Sequence, residues 1–255
     1  MTRRPPLRRP FALAAALALP LALAACGRVP GQFEIFNNAV PMSSDQGCTV
    51  PVDPTVYQGS GMLDLSAVSA NFGSAYFLFP LIENNLPSSS SGSGIDPNEI
   101  QLGGFQIDIT PIGAAPPTSV ESVFANNGAL THYQISWSGG VSSGGGHITA
   151  IAGAFPVALA QQLSAAGGIG SDPSLTVDLT ISAFGTTNTG THMTSDPFHF
   201  PLQICTACLA QNLGPCPLAA APVNKGNACN PAQDMAIGCC TQNGALVCPA
   251  TVIGQ

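Results

Sequence analysis

Apolar and polar side chains alternate strictly in several stretches of the chain. Phe105, Ile107 and Ile109 alternate with Gln106, Asp108 and Thr110, and Tyr133, Ile135 and Trp137 alternate with Gln134, Ser136 and Ser138. The clearest run sets Leu175, Val177, Leu179 and Ile181 against Thr176, Asp178, Thr180 and Ser182. A period of two is that of a β-strand with one wet face. AYFLFPLI, Ala75 to Ile82, is apolar on both faces and predicts a central buried strand, with Pro80 marking its end or an irregularity. Further strands are expected at Phe33–Val40, Met62–Ala70, Gly146–Gly153 and Phe198–Cys205. One helix is expected from Pro156 to Leu163, where a proline opens the first turn and Gly167 follows the end.

The segments between these runs are turn chemistry: SSSSGSG from Ser88, SGGVSSGGG from Ser138 and TTNTGT from Thr186. Short strands separated by Gly, Ser and Asn loops predict an all-β fold, an antiparallel two-sheet sandwich with an apolar layer between the sheets. Residues 32–204 form this sandwich. The span exceeds the roughly 100 residues of a minimal immunoglobulin-type unit, so immunoglobulin-like and jelly-roll-like versions both fit. With 45% hydrophobic residues the body builds its own core, and with only 7% charged residues its surface is covered by Ser, Thr, Asn and Gln.

The first residues follow another pattern. MTRRPPLRRP carries Arg3, Arg4, Arg8 and Arg9, and the apolar run Phe11–Ala25 follows, interrupted at Pro20 and ending at Leu23-Ala24-Ala25-Cys26. A charged start, an apolar stretch and small residues make a signal peptide, residues 1–25. The run is too short to be a membrane span of about 20 residues. Leu23-Ala24-Ala25-Cys26 is similar to the lipobox of bacterial lipoproteins. That resemblance covers only residues 1–27; it implies cleavage before Cys26, lipidation of Cys26 and anchoring in the membrane. Gly27 is not the Asp that signals inner-membrane retention in the Gram-negative members, so the implied location is the outer membrane. Residues 26–31 are then a short lipid tether that reaches about 20 Å at 3.3 Å per residue and keeps the body near the bilayer.

Loss of the leader takes four of the six basic residues and moves the formal charge from −7 to −11, with Arg28 and Lys225 the cations that remain. Such a chain has no cationic stripe for phosphates, so nucleic acid is not an expected partner.

If Cys26 carries lipid, eight cysteines are left: Cys48, Cys205, Cys208, Cys216, Cys229, Cys239, Cys240 and Cys248. In an exported chain, disulfides are the default for an even set. Seven of the eight lie in the tail, residues 205–255, so with no free thiol one tail cysteine must reach back to Cys48. Cys205-Thr206-Ala207-Cys208 has the spacing of a zinc knuckle, but the tail has no His and no second matching pair. A thioredoxin-like role needs a βαβ setting that the Pro- and Gly-broken tail lacks. Neighbours Cys239 and Cys240 are expected to reach different partners; the remaining connectivity stays open. The tail reads as a disulfide-rich appendix lying against the sandwich.

Candidate chemistry is sparse. Gly140-Val141-Ser142-Ser143-Gly144 matches the nucleophile-elbow pattern, which would make Ser142 a hydrolase nucleophile, but it sits in a Gly/Ser loop before a strand rather than before a helix. His132, His147, His192 and His199 are the only imidazoles; none has metal-site spacing, and the expected role is polar residues on wet sheet faces, with a metal site assembled in space from His132 or His147 and the other two left open. Asp96-Pro97-Asn98-Glu99 offers oxygen ligands to calcium or forms an ordinary turn. Trp137, the one tryptophan, falls on the apolar side of its strand, which favours core over a sugar platform. No cofactor motif is present. The expectation is a non-enzymatic outer-membrane lipoprotein with a structural or interaction role at the cell envelope, its partner an envelope protein or a glycan. The alternatives are an anchored glycan- or calcium-dependent binding module and, more remotely, a serine hydrolase.

Overall fold

The structure is a computed structural model that describes residues 31–44, 47–70, 73–89, 94–172, 175–217 and 224–248. The leader, the lipobox with Cys26 and the tether up to residue 30 lie outside the described residues. No helix among the described residues is long and apolar enough to cross a membrane.

The fold is all-β. In chain order the strands are β1 (Phe33–Asn38), β2 (Met42–Ser44), β3 (Gly47–Thr49), β4 (Gly61–Asp64), β5 (Tyr76–Leu78), β6 (Pro80–Asn84), β7 (Ile100–Ile112), β8 (His132–Val141), β9 (Gly146–Thr149), β10 (Ala152–Phe155), β11 (Leu175–Thr187), β12 (His192–Thr194), β13 (Phe198–Cys205), β14 (Ala210–Pro215), β15 (Ile237–Gln242) and β16 (Ala245–Val247). The larger sheet has the order β4-β13-β11-β7-β8, with β12 on one end of β11. Its alternating strands bury one face each: Ile107 and Phe105 on β7, Val177, Leu179 and Ile181 on β11, and Phe200 and Leu202 on β13 are all fully buried. Burying each such side chain stabilises by about 1.5–3 kcal/mol against leaving it exposed, which is why the alternation fixes the register. One irregularity keeps two side chains inward. A register shift between Leu102 and Gly104 lets Leu102 and Phe105 both face the core. Gly104 has φ +146°, and a Cβ there would meet the Ile135 carbonyl oxygen at 2.0 Å, so only glycine fits.

The facing layer is β1-β6-β9, continued by the pair β5/β10, because β5 runs into β6 and β9 leads to β10. Side chains of both layers join one apolar core. The stretch expected as a single strand, Ala75–Ile82, breaks at Phe79. The Phe79 N–H donates to the buried Asn38 Oδ1 at 2.6 Å instead of to a ladder, and Pro80 has no N–H to give. Phe79 then packs with Ala39 and Cys229 in a second, smaller cluster. The expected strand from Met62 likewise ends early: β4 stops at Asp64, whose carboxylate accepts the Ser66 N–H and turns the chain into a 3₁₀ turn, Leu65–Ala67. The expected strand from Gly146 is two, β9 and β10.

The sandwich is antiparallel apart from β4, which runs parallel to β13; in the tail β14 runs parallel to β15. The helix Val157–Ala166 forms where Pro156 opens it and Gly167, at φ +68°, closes it. A second helix, Thr118–Asn126, was not expected. Pro117 precedes it, and Val120, Val123 and Phe124 supply its apolar side. The two helices pack on each other and bury Val120, Leu159, Ala160 and Leu163 in the main core.

The cysteines pair as Cys48–Cys229, Cys205–Cys208, Cys216–Cys240 and Cys239–Cys248. Besides these bonds, the segments after β13 grip the sandwich through buried polar side chains. Asp64, with no exposed surface, accepts from Ser66 N–H and Oγ and from the N–H groups of Ala207, Leu209 and Ala210, so the Cys205–Cys208 loop is wrapped around one carboxylate. Gln233 pairs with both the N–H and the C=O of Phe77, as a strand would. Asn230 donates to the Ala75 carbonyl at 2.7 Å. Asp234, at φ +62°, accepts from Met62 N–H and the Tyr76 hydroxyl. Burial raises the Asp234 carboxyl above the usual carboxylate range; burial, followed by the Asp234 charge, holds the Tyr76 phenol well above its ordinary value. Each buried group is hydrogen-bonded, as its desolvation demands.

Candidate functional site

On the outer side of the smaller layer lies a cleft of about 330 Å³ lined by Phe36, Asp53, Pro54, Tyr57, Leu81, Glu83 and His147. Its floor comes from sheet register: Glu83 lies opposite His147 across β6/β9, and its neighbour across β1/β6 is Glu34, which does not itself line the cleft. Phe36 enters through a bulge. The register between β1 and β6 shifts between Ile35 and Asn37, leaving Phe36 without a partner on β6 and 53% exposed. A large aromatic on the wet face of a strand, beside a glutamate, is the anomaly of the local sequence FEIF. Tyr57 meets it edge-to-face, with ring centroids 6.4 Å apart.

The other wall is the segment 50–58, which has no strand of its own and is held at several points. Tyr57 bridges to Ala39, Val40 N–H donates to the Val56 carbonyl and Gln58 N–H to the Asn38 carbonyl. Thr149 Oγ1 donates to the Pro51 carbonyl at 3.0 Å. The Cys48–Cys229 disulfide ties the start of this wall to the tail. The tail cross-link therefore helps to position Asp53, Pro54 and Tyr57.

His147 Nε2 lies 2.6 Å from Asp53 Oδ1. This hydrogen bond, with smaller help from the Gly145 backbone and the Asp53 and Glu83 charges, raises the imidazole above its ordinary 6.5, against a partial loss from burial. A histidine raised in the folded state contributes stability that is fully present below its unfolded pKa and is lost as pH rises through the folded value. NMR titration of the four imidazoles should show His147 losing its proton above pH 6.5 in the native chain and returning toward 6.5 in Asp53→Asn; an unchanged midpoint in that variant would remove Asp53 as the cause.

The other sequence candidates lie elsewhere. Across the wet face of the larger sheet, His132 on β8 faces Asp108 on β7, Asp108 faces Thr180 on β11, and Thr180 faces His199 on β13. His132 hydrogen-bonds Asp108, and His199 Nδ1 lies 2.6 Å from Asp178 Oδ2. His192 contacts Thr186 at 3.2 Å. His147 is thus on a different layer from the other three, and among the described residues no group of three His, Cys, Asp or Glu side chains is arranged to hold a metal ion. Ser142 is exposed in the turn between β8 and β9, not on a strand-to-helix elbow, and each imidazole is engaged elsewhere. Its neighbour Ser143 donates to Asp96 Oδ2. Asp96 also accepts from Asn98 N–H, and these bonds lower its carboxyl below the ordinary range. Glu99 accepts from Gln101 and Asn188, so the Asp96–Glu99 segment is an Asx turn whose carboxylates are already hydrogen-bonded within the chain. Trp137 is partly buried against the core.

The lining residues Phe36, Asp53, Tyr57 and Glu83 were not singled out by the sequence. Only the exposed side of FEIF carried a local signal for one of them; the rest meet through register and a disulfide. No protein-family model, curated protein or solved structure matches the chain.

Proposed function

We propose that the protein is a non-enzymatic, outer-membrane lipoprotein that holds a cross-linked β-sandwich close to the bilayer as an interaction module, with Cys26 as its lipid attachment and an envelope component as its partner. The observation that carries this reading is the cleft. It exposes two aromatic rings that the core does not need, beside carboxylates and an imidazole, on a scaffold stiffened by four disulfides. Preorganised aromatic and polar groups around a concavity of this size are what small-ligand and hot-spot recognition use. The lipobox supports the anchor. A single acyl chain holds a protein only marginally, whereas the several chains that a lipidated amino-terminal cysteine carries hold it firmly.

Feeding cells an alkyne-tagged palmitate should label the chain and leave it in the membrane fraction. Cys26→Ser should abolish the label and, because the lipobox directs cleavage as well as acylation, leave residues 1–25 on the chain. Persistence of the label in that variant would contradict the anchor.

A further inference from the structure

We propose that the cleft recognises a positively charged ammonium group on a small, partly apolar molecule. The inference deepens the interaction-module reading and rests on it. Its starting point is charge placement. Glu34 and Glu83 stand directly opposite each other on β1 and β6, an arrangement in which like charges repel. Among the described residues Glu34 accepts a long, 3.4 Å hydrogen bond from Asn85 Nδ2, and the Glu83 carboxylate acts on His147, its neighbour across β6/β9, through its charge and not through a hydrogen bond. No Lys or Arg among the described residues offsets them. Lys225 is the only Lys or Arg among the described residues and sits in the tail, bridging to Ile237, and every ion pair among those residues uses a histidine. His147, the one imidazole in the cleft, is shared: it hydrogen-bonds Asp53 and feels the Glu83 charge only through space.

The rings supply the second half of the argument. Phe36 and Tyr57 are 53% and 40% exposed, and Leu81 and Pro54 complete an apolar lining between them and Glu83. An ammonium group over an aromatic face is attracted by the ring quadrupole, by about 0.5–1 kcal/mol at exposed sites and more where water is excluded. Carboxylate and rings thus converge on one class of ligand, an amine with an apolar body. The volume, about 330 Å³, lies at the low end of small-ligand pockets and too small for a long glycan or a folded partner.

The test is calorimetric titration of the full chain, purified in detergent, with phenethylamine, with its uncharged counterpart 2-phenylethanol, with a neutral trisaccharide and with a Lys-containing tetrapeptide. The expected result is saturable binding of the amine, at least tenfold tighter than the alcohol, weakened by added salt and lost at least tenfold in both Glu83→Gln and Phe36→Ala, whose thermal midpoints stay near that of the parent. Equal binding of amine and alcohol, or binding of the trisaccharide alone, would overturn charge recognition while leaving the interaction-module reading in place. Tighter binding of the peptide would reassign the cleft to a protein segment. No saturable response to the amine would overturn the proposal outright.

Discussion

Replacing Cys48 and Cys229 together with serine should lower the thermal midpoint by about 15 °C. The two residues are 181 positions apart, so their bond closes most of the chain into one loop. On the chain-entropy model a loop of that length contributes about 5 kcal/mol by restricting the unfolded state. For a domain of this size each kcal/mol is worth roughly 2–4 °C. The effect has a second, local part. Cys229 lies buried with Ala39 and Phe79 against Cys48 and Val50, and the chain after Cys48 forms the Asp53–Tyr57 wall of the cleft. The double variant should therefore lose more at the cleft than global stability alone explains: hydrogen exchange in segment 50–58 should accelerate well beyond that of β7 and β11. A uniform change across the chain would show that the bond acts only through the unfolded state.

The second large effect is at Asp64. Its carboxylate is fully buried, has no cationic partner among the described residues and accepts five hydrogen bonds, three of them from backbone N–H groups of the Cys205–Cys208 loop and the residues that follow. Asp64→Ala leaves those partly buried donors without their acceptor, at about 1–3 kcal/mol each before water and relaxation take up part of the loss. The expected loss is about 4 kcal/mol, at the upper end for one substitution, or roughly 12 °C in midpoint. Asp64→Asn is also expected to destabilise, because an amide aims donors at donors. A loss under about 1 kcal/mol in both variants would mean that water replaces the carboxylate. The comparison with Glu121→Ala, on an exposed helix position, sets the baseline, expected within ±0.5 kcal/mol.

Much of the larger sheet was legible because its signal is local. The alternations at Phe105–Thr110, Tyr133–Ser138 and Leu175–Ser182 became β7, β8 and β11, and Phe198–Cys205 became β13 with the same ends. The smaller layer was legible only in outline. Ala75–Ile82 is apolar at every position, so nothing in its pattern says that Phe79 leaves the ladder; that depends on Asn38, which lies about forty residues away in the chain and beside it in space. The helix Thr118–Asn126 was hidden by its length and by the low apolar content of TSVESVFAN, although Val120, Val123 and Phe124 carry the helical spacing. The parallel β4/β13 pair could not be read, since strand direction within a sheet leaves no mark on the alternation of either strand. In the tail, parity required a partner for Cys48, but selecting Cys229 among seven needed the packing of Phe79 and Ala39 around it.

The candidate site was less legible for the same reason. His147 was visible as one of four imidazoles, yet what distinguishes it is Asp53, ninety-four residues earlier, and no spacing rule joins them. The charges told more than the motifs. With Lys225 the one Lys or Arg among the described residues, the surface carboxylates there turn to histidines, hydroxyls and amides. Glu83 is left with a share of His147, which hydrogen-bonds Asp53 instead.

Mass spectrometry of the chain extracted intact from membranes, alkylated under denaturing conditions without reductant, tests the export account most directly. The expected species is a polypeptide beginning at Cys26, heavier by its acyl groups and carrying no alkylated cysteine. A species that keeps residues 1–25, or one that takes up alkylating agent at several of the eight remaining cysteines, would contradict it.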